Sequence, residues 1–320
     1  MGVAKGLTRA LRRVVGKDSS VEQRLRTLRN RALFARKGVV TSIDTYVGKG
    51  RGDGRIGIYG FGGCDVWTIA AAGRRLARNV PQTVAINAFG RARFTRSDLI
   101  LQTLDGVDRN AVSEVVHRLQ LEPAMFQPVL FEPEFVVPDA RYLGSFPKSV
   151  VVMSISSDLV RTLYRHREHG FLVDPGGFWL ASGIESALQD LEQVTWFSKN
   201  FRKVGRISLD DSMANFRRLI PLVRQRTGAE VVVFNSLTVD PGRYAIDYDH
   251  SHSPHRVRRR EFASALVDLA RELDFSIIDV DRSIKGVGTN GMHDFVKFGA
   301  VQQKAVAETF ARVLKERSFV

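Results

Sequence analysis

The sequence predicts an α/β protein, a three-layer α/β/α sandwich on a central parallel sheet of five strands. Three observations lead there. Short β-branched runs recur along the chain, amphipathic stretches of helical period separate them, and 320 residues with 44% hydrophobic content suffice to bury a sheet on both faces. The first strand is expected at 56–59, behind the glycine-rich link Gly48-Lys49-Gly50-Arg51-Gly52-Asp53-Gly54. Further strands are expected at 84–87, 150–154, 231–235 and 276–280, short β-branched runs of the kind that strands covered on both faces show. Helices are expected at 68–78, 212–226, 260–273 and 300–315, which completes the βαβ alternation. The glycine link sets a boundary between a basic helical arm, 1–49, and the α/β domain, 50–320. Two intervals exceed a simple crossover, about 91–148 and 160–211. They read as insertions gathered near the carboxyl ends of the strands.

Charge is concentrated at one end. Residues 1–49 hold 12 Lys and Arg against 3 Asp and Glu, most of the net charge of +14. Leu7, Leu11, Val14 and Val15 fall on one helical face with Arg9, Arg12, Arg13 and Lys17 around them. That pattern suits either a solvated helix or a helix lying on anionic lipid. The arm has no aromatic residue before Phe34 for base stacking, so no nucleic acid is expected. No apolar run reaches the ~20 residues of a membrane span, and no secretory leader is read at the start. Gly2 is followed by Gly6 where an acylation motif has Ser or Thr. The expected location is cytoplasmic, with a peripheral position at the inner face of the membrane as the arm's contribution. The lone cysteine, Cys64, excludes an intramolecular disulfide and a multi-cysteine metal site.

The chemistry centres on Gly60-Phe-Gly62-Gly63-Cys64-Asp65, a glycine-rich turn between the first strand and a helix expected to open at about Asp65. Such a turn exposes a side chain at the sheet edge and aims helix amides at it, which lowers a thiol pKa. A dinucleotide fingerprint is excluded, because aspartate replaces its third glycine and no acidic residue closes the second strand. Near the other end, Asn290-Gly-Met-His293 leads through Gly299 into the last helix. A parallel sheet presents all such loops on one rim, so His293 is expected near Cys64.

These segments, in their order, resemble the blocks of the SGNH/GDSL hydrolases. Gly62-Gly63-Cys64 is similar to the first block, Gly-Asp-Ser, with cysteine for serine. Gly90 matches the second-block glycine, and Ser156-Ser157-Asp158 stands where the family has Gly-x-Asn-Asp. Asn290-Gly-Met-His293 with Gly299 resembles Asp-x-x-His-Leu-x-x-x-Gly. The resemblance spans roughly 55–315 and implies the family's flavodoxin-like sandwich. It further implies Cys64 as nucleophile, His293 as base and Asn290 as the residue orienting the imidazole. Gly63, Gly90, Ser157 and Asp158 would serve the oxyanion and substrate, with the Cys64 and Gly90 amides as oxyanion donors. The cysteine variant also resembles the WcbI-like capsule polysaccharide acetyltransferases. That implies an acyltransferase or esterase acting on a hydroxylated substrate, a saccharide or glycolipid, with no required cofactor. Acyl-CoA is the donor so implied, its phosphates met by Arg91 and Arg93, residues that a solvated turn would also explain. The alternative is a catalytically inactive binding or scaffold protein of the same fold at the membrane surface.

Three histidines and two carboxylates lie within Asp247-Tyr-Asp-His250-Ser-His252-Ser-Pro-His255, either a transition-metal site or a polar loop. No metal is assigned. The basic run at 256–260 reads as a solvated helix start, and His166 and His169 as surface residues of a helix.

Overall fold

The computed structural model describes residues 44–48, 55–61, 64–68, 83–88, 96–119, 121, 126, 148–175, 191–241, 254–292 and 295–319. Its strands are β1 (Asp44–Gly48), β2 (Arg55–Phe61), β3 (Thr83–Ala88), β4 (Lys148–Ser154), β5 (Leu163–His166), β6 (Leu172–Val173), β7 (Phe201–Gly205), β8 (Glu230–Phe234) and β9 (Ser276–Ile278). The main sheet runs β1-β3-β2-β4-β8-β9. Strands β3, β2, β4, β8 and β9 are mutually parallel, as expected from the βαβ alternation.

The sixth strand corrects the expected boundary. β1 pairs antiparallel with β3, Asp44 opposite Ala88 and Gly48 opposite Val84, so 44–48 belong to the sheet and not to the arm. Thr45-Tyr46-Val47 is a β-forming run too short to stand out against the surrounding charge. Residues 1–43 of the predicted arm lie outside the described residues, as do 49–54 of the glycine link and 69–78 of the first predicted helix.

Helices cover both faces. On one face Tyr59, Val151, Met153, Val231 and Val233 meet α1 (Ser97–Asp105), α2 (Arg109–Leu119), α5 (Leu209–Thr227) and α6 (Pro254–Leu273). On the other, Ile56, Ile58, Val150, Val152, Val232, Phe234 and Ile278 pack against α8 (Ala300–Glu316) through Val306, Phe310 and Leu314. Alternate residues of one strand thus enter opposite cores, which is the period-2 rule acting on a sheet buried on both sides. Local chemistry sets the helix ends. Ser208 caps α5 by accepting the Asp211 N–H at 3.0 Å, and Gly228, at φ 65°, closes it in the left-handed conformation that glycine adopts without strain.

The insertion at 160–211 forms a second sheet, β6-β5-β7, backed by α4 (Leu191–Asn200). Here the sequence expectation fails. His166 ends strand β5 and is buried, its ring 5.0 Å from Phe171 and 4.8 Å from Phe201. These aromatic contacts, with Phe171 five residues on and Phe201 on another strand, override the local helical pattern. Burial, then the adjacent His169, push the His166 imidazole below its usual pKa. Gln102 on α1 closes the open side of β6: its Oε1 accepts the Leu172 N–H at 2.5 Å and its Nε2 donates to the Leu172 carbonyl at 3.0 Å. The side chain stands in for a neighbouring strand.

Candidate active site

Strand order locates the site. The first parallel strand, β2, sends its crossover to β3 on one side, and the chain then returns to β4 on the other. The order reverses between β2 and β4, and it is beyond the carboxyl ends of strands at such a switch point that α/β sheets carry their ligand crevice. A 3-10 turn, Cys64–Trp67, follows β2 on one side of that crevice. Ile155 and the short helix α3 (Ser156–Val160) follow β4 on the other. The helix expected to open at Asp65 begins as this 3-10 turn, with Thr68 already in helical conformation.

Asp65 joins the two sides. It is 2% exposed, and the Ser154 hydroxyl donates to its Oδ2. Ser154 Oγ in turn accepts the Ser156 N–H at 3.0 Å and lies 2.9 Å from Ser156 Oγ. The Thr68 hydroxyl donates to the Asp65 carbonyl at 2.7 Å, closing the turn on itself. Burial raises the Asp65 carboxyl above the usual carboxylate range, against the opposing pull of the Ser154 and Ser156 hydroxyls. Its Oδ1 is buried with no hydrogen-bond partner. None of Asp65, Ser154 and Ser156 was expected from sequence as a site residue. The available signal was a polar residue ending an apolar strand at the active rim.

Ser157 and Asp158 stand where the resemblance puts substrate and oxyanion contacts, and both are buried. The Asp158 carboxylate is turned into the fold. Its Oδ1 accepts the Ser97 N–H at 2.7 Å, and its Oδ2 accepts the Ser97 and Ser212 hydroxyls at 2.6 and 2.5 Å. Asp158 therefore ties α3 to the N-terminal turns of α1 and α5, and the substrate-orienting role is corrected to this internal one. Burial pushes its carboxyl up to about 6, against the opposing pull of the Ser212 and Ser97 donors.

On the far side of the rim, Asn235 follows β8. Its Oδ1 accepts the Val280 N–H at 2.7 Å and its Nδ2 donates to Asp279 Oδ1 at 3.0 Å. This fixes the end of β9 and the helix α7 (Val280–Lys285) that follows it. The loop from α7 to α8 carries the last motif. Asn290 is exposed, and its carbonyl accepts from Gln302 Nε2 at 2.9 Å. Gly299 caps α8, and a Cβ there would lie 2.9 Å from the Gly291 carbonyl oxygen, so the motif's glycine answers a close backbone approach. Met292, Val296 and Phe298 are buried, which anchors this loop on both sides of 293.

Gly63, Gly90, Arg91, Arg93 and His293 lie outside the described residues, and for Cys64 only the backbone is described. His250 and His252 also lie outside. His255 is exposed, with Nδ1 3.2 Å from Arg206 Nη1. Among the described residues no group of three or more His, Cys, Asp or Glu is placed to hold a metal ion.

The basic run at 256–260 differs from its expected solvation. Arg256 and Arg259 are buried and both pair with Asp240, at 2.7 and 2.6 Å. Arg258 donates to the carbonyls of Asp158 and Ile207 and lies 4.3 Å over Phe262. Arg259 also lies 5.0 Å over Phe295, two residues beyond 293. Facing carbonyls and one acid bring these cations in, where composition alone suggests water.

No protein-family model matches the chain, and no curated protein matches it. Among solved structures it is similar to an acetylxylan esterase from Geobacillus stearothermophilus, with 10% identity over 83% of this chain and 95% of the other, at a TM-score of 0.37. It is also similar to a lipase/acylhydrolase from Enterococcus faecalis, with 13% identity over 82% and 96%, at a TM-score of 0.40. Among the described residues no helix is long and apolar enough to cross a membrane.

Proposed function

We propose that the chain is an acyl-transfer enzyme in which Cys64 is the nucleophile and His293 the base, with Asn290 orienting the imidazole. The observation that carries this reading is the place of Cys64, which opens the turn that follows the first parallel strand at the switch point of the sheet. The thiolate adds to the acyl carbonyl, and the tetrahedral oxyanion is met by the Cys64 and Gly90 amides. Collapse expels the donor's leaving group, which takes a proton from His293. The acceptor hydroxyl then loses its proton to His293 and attacks the thioester, returning the Cys64 sulfur. The acceptor class is a saccharide or glycolipid, and acyl-CoA is the donor, with Arg91 and Arg93 against its phosphates. Water in place of the acceptor makes the same site an esterase. The part of the basic arm that precedes β1, residues 1–43, supplies peripheral attachment to anionic membrane.

The test is the pH dependence of Cys64 alkylation by iodoacetamide in the native protein and in His293→Ala, with intact-mass detection of acyl-Cys64 after exposure to acetyl-CoA. The expected thiol pKa lies well below the unperturbed ~8.5 and rises in the variant. An ordinary thiol indifferent to His293, or acyl transfer retained by Cys64→Ala, overturns the reading and leaves a binding or scaffold module.

A further inference from the structure

We propose that Asp65 is a positioning residue for Cys64, acting with Ser154 as one unit that locks the turn after β2 onto the end of β4. The proposal rests on the reading of Cys64 as nucleophile.

The two strands are direct neighbours. Phe61 pairs with Met153, and Ser154 is the next residue of β4. The carboxyl of Asp65 and the hydroxyl of Ser154 therefore bridge the crevice one residue beyond Cys64, between segments 89 positions apart in sequence. Thr68 holds the other end of the turn through the Asp65 carbonyl. A turn fixed at both ends leaves the amides that open at Cys64 a single direction, which preorganised stabilisation of an oxyanion requires.

The choice of residue points the same way. Asp65 is almost wholly buried, its Oδ2 accepts the Ser154 hydroxyl, and Oδ1 is buried with no partner. An acid in that setting loses hydration that the Ser154 and Ser156 hydroxyls and the backbone amides near it do not fully replace. Such an orphaned oxygen calls for a reason other than packing. Control of the adjacent residue supplies one, because a nucleophile displaced by a fraction of an ångström loses its alignment.

The experiment compares Asp65→Ala, Ser154→Ala, the double variant, Asp65→Asn and His293→Ala in the full chain. The readouts are the rate and pH profile of Cys64 alkylation by iodoacetamide, with thermal melting as the test of folding. Each alanine variant is expected to slow alkylation at neutral pH by about fivefold or more and to move the profile to higher pH. The double variant is expected to match the single ones, since one unit is lost only once. Asp65→Asn, which keeps an acceptor for Ser154, is expected to restore the rate to within about twofold. A folded alanine variant with a native or faster profile overturns the proposal, and so do additive effects in the double variant. Ser154→Ala alone decides the matter where Asp65→Ala does not fold. Dependence on Asp65 and Ser154 without dependence on His293 upholds the positioning role while removing the Cys–His reading. The reverse pattern does the opposite.

Discussion

Asp158 makes the folded state bind a proton, and the consequence is an unusual slope of stability with pH. Its carboxyl is 0% exposed, and burial raises its pKa from 3.8 to about 6. A folded pKa above the unfolded one means that the fold holds the proton more tightly. The associated stability is fully present below about pH 4 and is lost as pH rises through 6. At about 1.4 kcal/mol per pH unit the whole effect is about 3 kcal/mol. Between neutral pH and pH 5 only part of it appears, about 1 kcal/mol in favour of the acid side. Other carboxylates contribute slopes of their own, so the comparison is with Asp158→Asn, which is neutral throughout. Urea unfolding of both proteins at several pH values isolates the difference. On acidification from pH 7 to 5 the native chain is expected to gain about 1 kcal/mol relative to the variant, a melting shift of about 2 °C for a protein of this size. Parallel stability curves, or a relative loss by the native chain, would refute the assignment of the proton to Asp158.

Two further changes probe the scaffold around the site. Gly299→Ala places a methyl group 2.8 Å from Gln302 Oε1 and 2.9 Å from the Gly291 carbonyl oxygen; the expected cost is about 2 kcal/mol in urea unfolding, because one of those neighbours is backbone and does not rotate away. Gln102→Leu removes both side-chain bonds to the Leu172 backbone; the expected result is amide exchange at Leu172 faster by about tenfold or more, with a stability loss of about 1–3 kcal/mol.

The parallel core was legible because its central strands β4 and β8 are buried on both faces and so leave unbroken apolar runs. Val150 to Met153 needs no partner to be read as a strand, and neither does Val231 to Phe234. β1 was not legible, since an edge strand of five residues takes its identity from the β3 backbone opposite it. His166 was misread for a related reason: its aromatic partners are Phe171, just before β6, and Phe201, which opens β7, and only the small sheet brings them to its ring. The arginines at 256, 258 and 259 look solvated in sequence because Asp240 and the carbonyls of Asp158 and Ile207 that receive them are brought up only by the fold. The Gly-Gly-Cys turn was legible as a site from its glycines. Its internal support was not, because Asp65 reads there as an ordinary helix start.

The same distinction explains how the rim is built. Along the strands, order comes from apolar burial, which tolerates exchange of one aliphatic residue for another. Beyond the strand ends it comes from single polar contacts between neighbours. Asp65 after β2 meets Ser154 at the end of β4, the Ile155 N–H after β4 meets the Phe234 carbonyl of β8 at 3.2 Å, and Asn235 after β8 meets Asp279 after β9. Each contact joins segments adjacent in the sheet and distant in the chain, and each lies on the side where the crevice opens. A substitution there loses a directional bond that no neighbouring aliphatic group replaces, so reactivity at Cys64 responds to changes that leave the core packing intact.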